Sequence, residues 1–299
     1  MTQVILYNVT NGLIIGTFYV LMALGLSLIL NLSNVINFAH GNFLALGGYL
    51  AYTLSRTLGY WGALLVAPLL TALIGLAIER VIVRRLYGRL LDTLLATWGV
   101  AILIQQAVRL EFGLSFFGIH IAGLGPGLQN VSVPPVLQGT FMIGDAEINR
   151  YRAFIILVTA VLTAVTWLIM YRTSIGTQVR AIIRNPKMAA ACGIDVARIN
   201  ALTFAFGSGL AGVAGVMMSG FKTVFPDMGT PMVVDGFMVV VMGGVGSLLG
   251  SVFSAGILGE INGLVAAGTN DILARAVVFG VVIMIIILKP KGLFSLKGR

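Results

Sequence analysis

Apolar residues fall in long runs along this chain, separated by short polar stretches. Runs cover 4–32 and 43–54, and those near 62–78, 93–110, 153–171, 199–219 and 273–288 each have the length of one membrane crossing. About 20 helical residues span a hydrocarbon layer of about 30 Å. The pattern predicts an all-α, polytopic transmembrane bundle of about eight membrane helices, including broken or re-entrant segments, forming a single domain over 1–299.

Two runs are interrupted by polar, glycine-containing sequence: "NVINFAHGN" at 34–42 and "MGGVGS" at 242–247. Irregular backbone at membrane depth is tolerated only where protein or a wet cavity satisfies it. Interruptions of this kind in both halves point to a transport pathway. The candidate pathway residues are Asn37, His40 and Asn42 at the first break and Gly243, Gly244 and Gly246 at the second. Thr97, Trp98 and Gln105 in the run near 93–110 join them, either as cavity lining or as interhelical hydrogen-bonding groups. Both breaks are expected near the membrane midplane, facing a partner subunit. Internal identity between 1–110 and 153–288 is too weak to define a repeat.

Charge then orients the chain. Only 10% of residues are charged, against about 25% in soluble domains, and the first 55 carry no Lys, Arg, Asp or Glu. Thirteen of the 19 cationic residues lie in three places: 79–91, 172–198 and the tail after Leu288. All three are therefore expected on the cytoplasmic side. Residues 111–152, with Gly125-Pro126-Gly127 and Pro134-Pro135, then form an external cap with short elements. Parity requires an even number of crossings between 232 and 262, most simply a hairpin or re-entrant pair broken at 242–247. Met1 is followed by no basic n-region and the first run is too long for a signal peptide, so it reads as a span. The net charge of +9 flanks apolar spans instead of forming a stripe, which favours membrane over nucleic acid. A single cysteine, Cys192, excludes an internal disulfide.

Enzyme chemistry finds little support in the sequence. Residues 207–212 match G-x-G-x-x-G, but inside an apolar span. There the spacings Gly207/Ala211/Gly215, Ser208/Gly212 and Gly246/Gly250/Ser254 suit close helix packing. No G-x-x-x-x-G-K-[ST] occurs to cradle ATP. His40 and His120 lack metal-ligand spacing, so no metal is expected. Ser208 has His40 as its only membrane base and no orienting acid. Asp235 and Glu260 flank the second break; ionisable groups at that depth either mark a pathway or lie at an interface or helix cap.

The segment "RAIIRNPKMAAACGIDVAR" at 180–198 carries helix punctuation. Asn185 suits an N-cap, Pro186 the first helical position and Gly193 a C-terminal cap. A helix of about two turns follows, flanked by Arg180, Arg184 and Lys187, with an alanine face that includes Ala189 and Ala190.

Three ordered stretches resemble the permeases of bacterial ATP-binding-cassette importers for branched-chain amino acids and urea. They are "LGLSLILNLSNVINFAHGNFLALGGY" (24–49), "GTQVRAIIRNPKMAAACGI" (176–194) and "VDGFMVVVMGGVGSLLG" (234–250). The resemblance covers nearly the whole chain. Residues 92–109 and 201–216 resemble the urea branch more, making urea or a short amide the first expectation and a branched-chain amino acid the alternative. "FKTVFPDMGTPM" (221–232) is not expected of either branch, and Asn42 stands where the family usually has an acid.

The resemblance implies a non-catalytic, multi-pass subunit of the bacterial inner membrane, in contact with lipid and working by alternating access. It implies a second homologous permease, two cytoplasmic ATPases that bind ATP and Mg, and an external solute-binding protein. Arg180, Arg184, Asn185, Pro186, Lys187, Ala189, Ala190 and Gly193 would form the element docking on an ATPase, with the alanines in tight contact and the basic residues steering. The rival class is an ion-coupled secondary transporter or channel, for which Asp235 and Glu260 are the only candidate ion ligands.

Overall fold

The computed structural model describes residues 2–33, 35–109, 114–116, 119–121, 128–143 and 146–294. Among the described residues there are ten α-helices: α1 Thr2–Ser33, α2 His40–Val81, α3 Leu90–Arg109, α4 Arg150–Arg172, α5 Ser174–Arg184, α6 Pro186–Ala191, α7 Val196–Ser219, α8 Gly229–Gly243, α9 Leu248–Gly268 and α10 Asp271–Leu288. Seven described helices are long and apolar enough to cross a membrane, and α1 is buried over most of its length. The all-α membrane bundle is therefore what the structure shows. α2, at 42 residues, is too long for one crossing; Gly59, at φ 69°, divides it in two.

Two antiparallel hairpins occupy the stretch expected to cap the fold: β1 Leu114–Phe116 with β2 Ile119–Ile121, and β3 Thr140–Ile143 with β4 Ala146–Asn149. The Gly125-Pro126-Gly127 turn lies outside the described residues.

The chain divides into two compact units. One comprises Met1–Ser27, Val133–Leu168 and Val234–Arg299; the other comprises Leu28–Ser132 and Ile169–Val233. The second is built on α2 against α7. Small residues explain how closely these helices approach. A Cβ on Gly212 would meet the Thr71 side chain at 2.9 Å, and one on Gly215 would strike the Leu44 carbonyl. Ser208 spends its hydroxyl on the Phe204 carbonyl (2.9 Å), so the glycine pattern at 207–212 is a packing face.

α8 and α9 are joined by a turn at 244–247, where the second break was expected. Gly244 and Gly246 sit at φ 94° and 104°, and the Ser247 hydroxyl caps α9 by accepting from Gly250 N. The tail locates this turn. Leu293 N–H donates to Met242 O (2.8 Å) and Phe294 N–H to Gly243 O (3.3 Å), only a few residues after α10 ends. The second break is therefore covered by the tail just beyond the end of α10. α8 rises only about 22 Å, short of the roughly 30 Å layer.

Candidate functional site

α1 stops at Ser33 and α2 restarts at His40 after an irregular turn. The turn leans on α3: Thr97 Oγ1 accepts the Phe38 N–H and donates toward the Ile36 carbonyl, both at 3.2 Å. Asn42 Nδ2 donates to the Ala101 carbonyl at 2.7 Å. Asn37, His40, Asn42 and Thr97 are all buried. They are buried polar groups at one turn, and Thr97 acts as the interhelical tie.

Three other candidates sit around this turn. Trp98 is 54% exposed on α3, with its ring stacked on Phe38 at 6.2 Å. Gln105 Nε2 reaches Thr230 Oγ1 in the first turn of α8 (3.0 Å). At the end of α3, Arg109 Nη2 donates to both Asp227 carboxylate oxygens at 2.6 and 2.7 Å, an ion pair that sequence reasoning missed. Opposite charges 118 positions apart leave no periodic signal.

Gly41 and Gly229 meet backbone to backbone; a Cβ on either would strike the other's carbonyl. The first turns of α2 and α8 thus lie side by side. The pathway glycines of the second break belong elsewhere: Gly243 and Gly244 are buried and Gly246 half-buried in the turn held by the tail.

In the first unit Asp235, 3% exposed, accepts from Arg275 at 3.0 Å. Asn262 Nδ2 approaches Tyr19 Oη at 3.5 Å, and Tyr19 also hydrogen-bonds Asp235. Asp235 is therefore paired within the chain, which leaves it poorly suited to bind a coupling ion.

On the basic side, α6 has the predicted punctuation. Asn185 Oδ1 accepts from Met188 N (3.0 Å) and Pro186 occupies the first helical position. Gly193, at φ 82°, ends the helix: its N–H reaches Ala190 O, and Ile194 N–H reaches Ala189 O, the paired Schellman bonds. The helix is six residues, shorter than two turns.

One detail corrects the expectation for this element. Ala189 is buried within the chain, so Lys187, Met188, Ala190 and Ala191 form the outward surface. Arg180, exposed like Arg184 and Lys187, donates to the Met170 carbonyl at the end of α4 and lies over the Tyr171 ring. Helix α5 itself was missed. Its signal was present in Thr173, whose hydroxyl accepts from Gly176 N, and in the apolar stripe Val179/Ile182.

In the other basic loop Tyr87 donates to Glu79 Oε1 at 2.6 Å. Burial, then the neighbouring carboxylate, push the Tyr87 phenol well above its ordinary pKa, so it stays a donor.

The sequence profile of the branched-chain amino acid transport system / permease component family matches residues 8–288. The chain belongs to this family.

Among its relatives is the high-affinity branched-chain amino acid transport system permease protein BraD of Pseudomonas aeruginosa. It is 28% identical, over 97% of this chain and 95% of its own length. LivH of Escherichia coli K12, with the same description, is also 28% identical over the same shares. A probable branched-chain amino acid transport permease LivH of Methanocaldococcus jannaschii is 25% identical over 93% and 86%. These names lend no support to the urea preference read from 92–109 and 201–216. In the structure those stretches are α3 and the packing face of α7. Family membership and seven apolar helices make the chain a multi-pass membrane permease component.

Proposed function

We propose that this chain is one transmembrane subunit of an ATP-binding-cassette importer that admits a branched-chain amino acid. The family match over 8–288 supports this most directly. Transport here consists of alternating access, with no covalent step in this subunit. A second homologous permease, an external solute-binding protein and two cytoplasmic ATPases holding ATP and Mg complete the assembly. The tail and α6 face the cytoplasm by the positive-charge rule. α6 docks on the ATPase through Lys187, Met188, Ala190 and Ala191, with Arg184 and Lys187 steering encounter.

The test is uptake by vesicles holding the co-purified complex and binding protein. Leucine, isoleucine and valine should enter only with internal ATP, and ionophores that collapse ion gradients should not slow them. Urea uptake in place of leucine would reverse the substrate reading. Ion-driven uptake by this chain alone would restore the secondary-transporter reading.

Two predictions address α6. Ala190→Glu places a charge on its outer face and is expected to leave insertion intact while lowering ATP hydrolysis stimulated by the binding protein at least tenfold. Unchanged stimulation would remove α6 from the interface. Cys192 is exposed just beyond α6 and should react with an impermeant maleimide only in inside-out vesicles. In a Cys192→Ser background, a cysteine at exposed Lys222 should react only from the outside; Gly229 is unsuitable because it is buried. Reaction of Cys192 from outside would invert the topology.

A further inference from the structure

We infer that two side-chain ties from α3 form a releasable latch over the start of α8, and that the latched segment, 226–230, is an outer gate. The inference rests on the importer reading above for what the gate serves and which side it faces.

Gln105 and Arg109 are four positions apart and so share one face at the end of α3. Gln105 Nε2 donates to Thr230 Oγ1 at 3.0 Å, and Arg109 Nη2 donates to both oxygens of Asp227. The Arg109 and Asp227 side chains are 44% and 56% exposed, and Thr230 is exposed as well. Ties of this kind are individually weak and are screened by salt.

The segment they hold is a local unit. Pro226–Met228 make one tight turn, in which Met228 N–H donates to Phe225 O and Gly229 N–H to Asp227 O. Among the described residues, no backbone hydrogen bond joins 226–230 to α2 or α3. Just before it the chain is fixed, because Val224 and Gln129 exchange two backbone bonds of 2.8 and 2.9 Å. Met228 and Gly229 are its buried residues, and Gly229 meets Gly41. The segment can therefore pivot beyond Val224, carrying the first turn of α8 with it.

The closed arrangement also leaves a buried group unsatisfied. Asn42 is 2% exposed, and its Oδ1 has no hydrogen-bond partner. A Cβ on Gly229 would come within 2.5 Å of that oxygen, so the segment covers it. The Nδ2 bond to Ala101 O holds the amide in place. Buried polar groups are nearly always paired, and lifting the segment would let water reach this one. Closure gains two exposed ties and buries Met228, whereas opening satisfies Asn42. Opposing terms of similar size make the segment a two-state element.

The experiment uses the complete importer in vesicles, in a Cys192→Ser background. With Gln105→Cys and Thr230→Cys combined, a short bifunctional methanethiosulfonate should abolish ATP-driven leucine uptake, and reductant should restore it. Normal uptake while the cross-link is in place would overturn the gate.

A second measurement reads the latch itself. Met228→Cys is expected to react with an impermeant maleimide from outside only when the segment lifts. Adding Asp227→Asn should raise that rate by up to about fivefold, the reach of one exposed ion pair. With Asp227 intact, high salt should raise it too. A rate that responds to neither would overturn the latch. Reaction only in inside-out vesicles would overturn its place as an outer gate. No leucine uptake by wild type would overturn the importer reading, while the maleimide rates would still report whether the latch holds.

Discussion

Replacing Gly215 by leucine is expected to separate α2 from α7 and leave little folded protein in the membrane. Even a single Cβ there would strike the Leu44 carbonyl and reach Gly48 N at 2.7 Å. Both obstacles are backbone in a helix, so no rotamer change relieves them. Overpacking a core typically costs about 1–3 kcal/mol, and more where the backbone must move. In a membrane the loss is not offset by other hydrophobic contacts, because close packing and not water exclusion holds the helices together. Gly99→Ala is the control: nothing lies within 4 Å of its Cβ, and alanine should gain up to about 1 kcal/mol in helix propensity. Thermal unfolding in detergent, followed by size-exclusion profile, checks both. A Gly215→Leu protein with wild-type Tm would show that the α2–α7 contact is looser than described.

Arg275→Leu should be nearly as damaging, for an electrostatic reason. It leaves the Asp235 carboxylate, 3% exposed, without its cation. Breaking a buried pair from one side costs about 3–5 kcal/mol; the 42% exposure of Arg275 places this case near the lower end, about 3 kcal/mol. The double variant Asp235→Asn/Arg275→Leu should recover most of that loss, since no uncompensated charge remains. Comparing Tm for both single variants and the double variant gives the coupling directly. If Arg275→Leu and the double variant lose equal stability, the bond is incidental. Uptake by the double variant should still depend on ATP, because the pair ties α8 to α10 and does not carry an ion.

The legibility of this chain was uneven, for physical reasons. Asn185, Pro186 and Gly193 spelled α6 correctly because caps are local: each acts on backbone groups within about four residues. Ala189 was assigned an outward role because composition cannot say which side of a short helix its own chain covers. The pairs Arg109–Asp227 and Arg275–Asp235 join residues more than 30 positions apart. Only the fold brings them together.

The sequence by itself determined the membrane-spanning class, the long apolar segments and the family, because lipid enforces long apolar runs. Tertiary structure decided which segments keep company. It set the tail on the second break, where the tail's N–H groups bond the last carbonyls of α8. It also brought the first break against Gly229, where two glycines let helix ends touch. Such contacts depend on packing between distant segments, and hydropathy read along one chain carries no record of them.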